Sequence, residues 1–557
     1  MAAERAAAEL RERFRSGVTR PYAWRLQQIR GVIRMLTECE SELIEAVCKD
    51  TGKPVEEMRI SEVTQTLCAA RLMEQQLASW MPDQYFSQWG ILFPSTPTLR
   101  HEPYGVVLMI APFNFPLMLV LKPLLGALAA GARGGPAALC VPGARAGAAC
   151  RGRGLTPATD GLGHASTGNC VLIKPSEACP QTSALIEKLF PKYMDPQSIR
   201  VMQGGVPETQ ALLAQRWDFI CFTGSKRVGK VVAKAAAEHM TPCLLELGGK
   251  NVAVVDEHVH SLDVVARRLL WGRFLNAGQS CVAPDVVVCV TLAQAEALKK
   301  KMLQCYKVFY GDDPQKSPDF GRLISKASAQ RVQQLLHQPG ANVGEVLVGG
   351  QVDVDDRYVA PTILSETPAT SKLMEEEIFG PVVSVVTTSS VEDAIRYVDS
   401  ITRDPLALYV FTSRPAVASR IIEAIPSGGV VVNDCMIQQG LPNMPFGGRG
   451  DSGLGSYHGR FSFDTFSQKR TILYKHFNRN HPLLDFWIRC SSRTRMWAYM
   501  RATHAQPRAR ARYKAKDLRR HMVARCVGPG LRIDPYVRLR ILTGTAYIRV
   551  YRLSTPG

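Results

Sequence analysis

Residues 169–249 read NCVLIKPSEACPQTSALIEKLFPKYMDPQSIRVMQGGVPETQALLAQRWDFICFTGSKRVGKVVAKAAAEHMTPCLLELGG. Four short apolar runs (NCVLIKP, IRVMQGG, DFICFTG and CLLELGG) alternate with stretches whose apolar residues recur at helical spacing (QTSALIEKLF, PETQALLAQR and KRVGKVVAKAAAEHM). Short strands separated by helices predict a parallel, doubly wound sheet. Upstream, YGVVLMI adds a strand and FPLMLVLKPLLGALAAG a helix, while the first eighty residues read as amphipathic helices. Downstream, a second alternating region runs from Val252 to Asp434. It holds the helix LDVVARRLLWGRFL and the strands DVVVCV, VVSVVTT, ALYVFT and GGVVVND. Two α/β domains in series therefore account for most of the 557 residues.

The long apolar run from Val106 contains Asn114, Lys122 and three prolines, so it reads as a buried strand, loop and helix and not as a membrane span. The charged, helical start MAAERAAAELRERF is followed by no apolar stretch with a cleavage site, and no signal peptide is expected. Fifteen cysteines show no CxxC pair and no Cys/His cluster of zinc-ligand spacing. They suit reduced thiols in a cytoplasmic setting, with no metal.

The net charge of +19 is local. Residues 479–557 hold 18 Lys+Arg against 3 Asp+Glu, and residues 132–168 hold 4 Arg against 1 Asp, which leaves the body near neutral. That distribution argues against nucleic acid as a partner. Residues 132–168, with nine Gly, nine Ala and three Pro, read as a low-complexity insert. The tail from Phe477 mixes arginines with aromatics in LLDFWIRCSSRTRMWAYMR. Its composition fits contact with an anionic membrane surface, or an altered reading frame or splice product without selected function.

In chain order stand APFNFP, IKPSE, FTGSKRVG, LELGGKN, LNAGQSC, EEIFGPV and PFGGRGDSGLG, between residues 100 and 467. Together these motifs resemble the aldehyde dehydrogenase superfamily. The short N-terminal region and the FSFDTFS ending look most like its class 3 branch, which handles medium- and long-chain aldehydes. The resemblance covers residues 5–475, interrupted by the insert. It implies an NAD(P)-binding domain from 1–83 and 106–245, a catalytic domain at 246–435, and a small β oligomerisation element from 84–105 and 436–476. The basic tail at 477–557 follows. A homodimer is the implied assembly.

The residues support the match. LNAGQSC sets Cys281 after a helix end and before the strand DVVVCV, with Gly278 allowing a tight turn. A nucleophilic thiol needs such loop exposure and partial ionisation. Glu246 lies at the carboxyl end of CLLELGG, where ligands gather in such sheets. The resemblance makes it the general base that activates water for thioester hydrolysis. Asn114 interrupts an apolar run with an amide, and its N–H together with the Cys281 backbone N–H is implied to hold the developing oxyanion. Phe113 and Phe115 stand where relatives carry Trp and Tyr, which leaves the implied substrate mouth more apolar. Cys243 reads as core filler. The Arg449–Gly450–Asp451 tripeptide lies inside the glycine-rich family loop and carries no adhesion role.

For the cofactor, Lys174 and Glu177 of IKPSE are implied to bind the adenosine ribose. A carboxylate at Glu177 accepts from a 2′-hydroxyl and repels a 2′-phosphate, which favours NAD, although class 3 enzymes often use NADP as well. Gly224, Ser225 and Gly229 of FTGSKRVG open a helix whose N-terminus can meet a pyrophosphate. Glu377 is implied to hold the nicotinamide ribose and Phe379 to pack beside the nicotinamide. The expected reaction is oxidation of hydrophobic aldehydes to acids through a cysteine thioester. CoA-acylating oxidation is the second enzymatic reading, against which the base Glu246 argues. A catalytically impaired binding or dimerisation partner of the same fold is the reading from another class.

Overall fold

A computed structural model describes residues 1–86, 95–132, 168–337, 339–340 and 342–475. The body of the low-complexity insert and the whole basic tail at 477–557 lie outside the described residues. Residues 1–86 and 97–473 form one compact unit, to which the elements below belong in whole or in main part.

The quoted stretch builds a six-stranded sheet. From one edge to the other its strands are Gly453–Leu454, Cys243–Leu247, Phe219–Gly224, Val106–Ile110, Cys170–Lys174 and Ile199–Val201. All neighbours pair in parallel except Gly453–Leu454, which runs antiparallel to Cys243–Leu247. The chain starts at the central Val106–Ile110, winds outward through two strands, then returns to wind the other way. The switch therefore opens a crevice at the carboxyl ends of Val106–Ile110 and Phe219–Gly224, which is where ligands bind in such sheets.

Both faces of this sheet are covered, which is why its inner strands are apolar without alternation. Val106, Leu108 and Ile110 pack into one core with Ala3, Ala6 and Leu10 of the helix Ala2–Arg15. Val107 and Met109 point the other way, into a core shared with the helices Tyr22–Glu38, Gln65–Trp80 and Met118–Ala129. That split is the two-residue period of a strand. Met118–Ala129 is buried on every side, as its continuous apolar sequence requires.

The second region forms a seven-stranded sheet in the order Glu345–Val348, Thr362–Ser365, Val382–Thr387, Pro284–Cys289, Asn251–Val255, Ala407–Phe411 and Gly429–Val432. Only the Glu345–Val348 edge is antiparallel. The opposite edge, Gly429–Val432, is only partly covered, with Val432 42% exposed. A third sheet joins Gln84–Tyr85, Ser95–Pro103 and Ser467–Lys475. Among the described residues no helix is long and apolar enough to cross a membrane.

Two features depart from the periodic reading. The antiparallel edge at Glu345–Val348 was not visible in the pattern, because its residues are half exposed and short. A π-helical turn, Arg59–Thr64, interrupts the N-terminal helices and carries Glu62 inward.

The two ends of the insert are fastened at the amino end of Cys170–Lys174. The Gly168 N–H donates to Thr19 O (3.1 Å), and the Thr19 hydroxyl donates back to Gly168 O (2.8 Å). Asn169 Nδ2 donates to Ala127 O and Phe466 O, and its Oδ1 accepts from the Gly105 N–H. Ala132 donates to His101 O.

Candidate active site

The helix Leu262–Phe274 runs into a tight turn, Leu275–Gly278, that delivers Cys281 between the two sheets. Asn276 and Ala277 take left-handed φ of 53° and 49°, and Gly278 follows at 75°. Non-glycine residues seldom adopt such angles, so the surroundings must hold them there. They do: the Asn276 N–H donates to Glu57 Oε1 (2.8 Å), and a Cβ on Gly278 would overlap the Gly380 carbonyl. Beyond the turn, Asn251 Nδ2 donates to Cys281 O (2.7 Å) and Ala283 O (3.2 Å), while the Tyr409 hydroxyl donates to Val282 O (2.5 Å). The loop is thus pinned on both sides of Cys281, itself half-buried.

Burial pushes the Cys281 thiol well above its ordinary range, and the carboxylates of Glu377 and then Glu246 add to that shift. Both carboxylates therefore lie within electrostatic reach of Cys281. Glu246, 4% exposed at the end of Cys243–Leu247, is raised well above the usual carboxylate range by burial, and neither of its oxygens has a hydrogen-bond partner among the described residues. Glu377 is pushed up to about 8, first by burial and then by Asp285. Its Oε1 is likewise buried and unpartnered, and Gly248 lets its carboxylate approach, since a Cβ there would overlap Oε2.

Asn114, 4% exposed, follows the central strand and donates from Nδ2 to Gln279 O (3.2 Å), two residues before Cys281. An amide carries two N–H groups, so one stays free for a second acceptor. Phe113 meets the Phe379 ring edge-on at 5.9 Å, and Phe379 itself sits at φ 47°. Phe115 differs from expectation: it is buried under the Lys53 ammonium, 4.2 Å from its ring centre, with Met118 and Leu119 packed on it. Of the two phenylalanines, only Phe113 is left half-buried at the strand end.

The other expected residues stand at neighbouring strand ends. Lys174 ends its strand and pairs with Glu177, whose side chain is 54% exposed. Burial acts to raise Glu177, but the Lys174 ammonium outweighs it and holds the carboxyl below its ordinary value. Gly224 ends Phe219–Gly224, and Ser225 caps the helix Lys226–Ala237 by accepting from the Val228 N–H (3.4 Å). Gly229 lies within that helix, where a Cβ would come 2.5 Å from Leu247 Cδ2; the glycine permits close helix–strand packing. Arg449 pairs with Asp404 (3.2 Å) and Asp451 with Lys226 (2.5 Å), so the tripeptide's charges are engaged by neighbouring segments of the same chain.

The donor set suits a dinucleotide. A helix N-terminus at the switch point can meet phosphate. A lysine–carboxylate pair one strand away and an orphaned buried carboxylate beside Cys281 can each meet a ribose hydroxyl. Sequence reasoning missed the residues that hold the site: Lys53, Glu62, Asn251, Asn276 and Gln279. Three of these lie inside or beside quoted motifs, so their signal was present; Lys53 and Glu62 reach the site only through the fold.

Comparison with known proteins agrees with the fold. The model of the aldehyde dehydrogenase family matches residues 1–133 and 159–472, passing over the middle of the insert. The chain is 40% identical over 466 residues to mouse aldehyde dehydrogenase family 3 member B2, covering 84% of this chain and 88% of that protein. It is also 40% identical to human family 3 member B1, covering 84% and 90%. Among solved structures, a substrate-bound AldH from Staphylococcus aureus superposes with a TM-score of 0.79 at 31% identity, covering 90% of this chain and 99% of that one. A glyceraldehyde-3-phosphate dehydrogenase from Methanocaldococcus jannaschii, complexed with NADP, gives 0.70 at 25% identity over 85% and 94%.

Proposed function

The chain belongs to the aldehyde dehydrogenase family, and on that premise we propose that it oxidises hydrophobic aldehydes, medium- to long-chain or aromatic, through a thioester on Cys281. Aldehyde oxidation with a nicotinamide cofactor is the coarser statement, and it rests on the family and its class 3 relatives. The single observation that carries the finer reading is a pair of buried carboxylates, Glu246 and Glu377, within electrostatic reach of Cys281; Glu377 lies against Gly248, two residues after Glu246, and the Asn114 amide is tied to the Cys281 loop.

The chain's own residues divide the work. Cys281, as thiolate, adds to the aldehyde carbon. The free N–H of Asn114 and the Cys281 backbone N–H receive the oxygen as it becomes charged. When bound, the nicotinamide ring accepts the hydride that converts the tetrahedral adduct to a thioester. Glu246 then takes a proton from water, which attacks the acyl carbon; the acid departs and Cys281 is regenerated. Glu377, with its unpartnered oxygen, is the group for the nicotinamide ribose, and Phe379 packs beside the ring. Lys174 and Glu177 would receive the adenosine ribose, Gly224 and Ser225 the pyrophosphate, with Gly229 keeping that helix close to the sheet. The Glu177 carboxylate favours NAD over NADP.

The half-covered edge Gly429–Val432 supports a homodimer, since an open strand edge pairs readily. The test of the reaction is direct. The purified chain should reduce NAD when given hexanal or benzaldehyde, and Cys281→Ala should abolish this while NAD binding persists. Turnover retained in Cys281→Ala would overturn the assignment.

A further inference from the structure

Under the Asn114 turn lies an ion pair with no solvent exposure on either side chain, Lys53 Nζ to Glu62 Oε1 at 2.7 Å. Each partner spends its remaining capacity on the site. Lys53 Nζ also donates to Asn114 O (3.1 Å) and lies over the Phe115 ring. Glu62 Oε2 accepts from the N–H groups of Leu117 (2.8 Å) and Met118 (3.2 Å), the start of the helix that follows Asn114. That helix has no cap from its own N-cap side chain, so Glu62 supplies one from 55 residues away. The Asn114 carbonyl has a second donor, Asn276 Nδ2 (2.8 Å), which also reaches Gln279 O (3.0 Å).

A buried ion pair is a poor way to gain stability, because two charges must leave water and an apolar pair of the same volume often does as well. Its geometry here does something an apolar pair cannot. It fixes the Asn114 carbonyl and, three and four residues on, the amides of Leu117 and Met118, so the turn that begins at Asn114 is held at its start and at its end. With the carbonyl end of Asn114 fixed and its Nδ2 bound to Gln279 O (3.2 Å), the direction of the side-chain amide is set at both of its ends. We propose that Lys53 and Glu62 are positioning residues that aim the free Asn114 N–H at the oxygen of the substrate bound to Cys281. The inference rests on the roles of Asn114 and Cys281 proposed above.

The test is a double-mutant cycle in the full chain, with hexanal and NAD. Lys53→Met with Glu62→Gln removes the charges together, so that neither is left buried alone. The pair variant should fold, bind NAD as the parent does, and lose about 10–100-fold in kcat, as a small misplacement of a reacting group costs. Placed on Asn114→Ala, the same pair should cost less than about twofold more, because the N–H it aims is gone. A merely structural role would give the same loss in both backgrounds, and that result would overturn the proposal, as would full activity of the pair variant. If Asn114→Ala itself keeps full kcat, both this inference and the oxyanion role of Asn114 fail; an additive loss refutes the positioning alone. Should the pair variant not fold, Lys53→Arg serves in the same cycle. Its guanidinium keeps the charge opposite Glu62 but spreads its donors, so a severalfold loss should appear with Asn114 and vanish with Asn114→Ala. A loss equal in both backgrounds, or none, again refutes it.

Discussion

Glu246 and Cys281 share an unusual setting, in that each is driven toward its neutral form by burial while the proposed mechanism requires each to be without its proton. The sign follows from that. A raised pKa leaves a smaller ionised fraction at neutral pH, so turnover should climb with pH above neutrality instead of levelling off near the ordinary carboxylate range. A kcat profile that is flat from pH 6 upward would contradict this. In Glu246→Gln the packing survives but the proton acceptor is lost, a role worth about 10²–10⁴-fold. Steady turnover should fall far more than the first burst of NADH in a rapid-mixing experiment. Cys281 and Glu246 were both legible in the sequence, since each sits in a motif whose neighbours declare a loop or a strand end. Lys53 and Glu62 were not. A lysine before a proline and a glutamate in a helical stretch read as surface charge, and only the packing of the N-terminal helices beneath Asn114 shows them buried.

The elements that matter most are the turns at strand and helix ends. The strand–helix alternation of residues 169–249 could be read directly because strands buried on both faces leave uninterrupted apolar runs. The turn at Leu275–Gly278 could be anticipated only in part. Gly278 marked it, but the left-handed Asn276 and Ala277 are held by contacts with Glu57 and Asn114 from distant segments, besides the local one to Gln279. The edge Glu345–Val348 escaped for a related reason, its pairing being set by Thr362–Ser365 and not by its own pattern. Gly278→Ala tests the turn. A methyl group there meets both a positive φ and the Gly380 carbonyl, and strain of this kind costs about 1–3 kcal/mol. Thermal unfolding should occur at lower temperature, and activity should fall because Gly380 follows the Glu377–Phe379 segment. Unchanged stability and turnover would show that the turn is not under constraint.

At the scale of the whole molecule, two sheets meet where Gly248 and Gly249 connect Cys243–Leu247 to Asn251–Val255, and the chemistry stands at that junction. The insert enters at the other end. Its fastened residues, Ala132 and Gly168, lie at the amino end of Cys170–Lys174, whereas Glu177 lies past the carboxyl end. Lengthening a closed loop costs only about 0.6 kcal/mol per doubling, so the sheet tolerates it. Deleting residues 134–158, the segment the family pattern passes over, should leave the KM for NAD and for aldehyde unchanged and raise resistance to proteolysis. A severalfold change in NAD affinity would mean that the insert reaches the cofactor side. The central claim, a thioester on Cys281 cleared by Glu246, is tested most directly by trapping it. Glu246→Gln, mixed with hexanal and NAD, quenched in acid and digested, should yield a hexanoyl group on the peptide containing Cys281, in amounts matching the NADH burst. A burst with no acyl group on Cys281, or with the acyl group on another residue, would contradict the account.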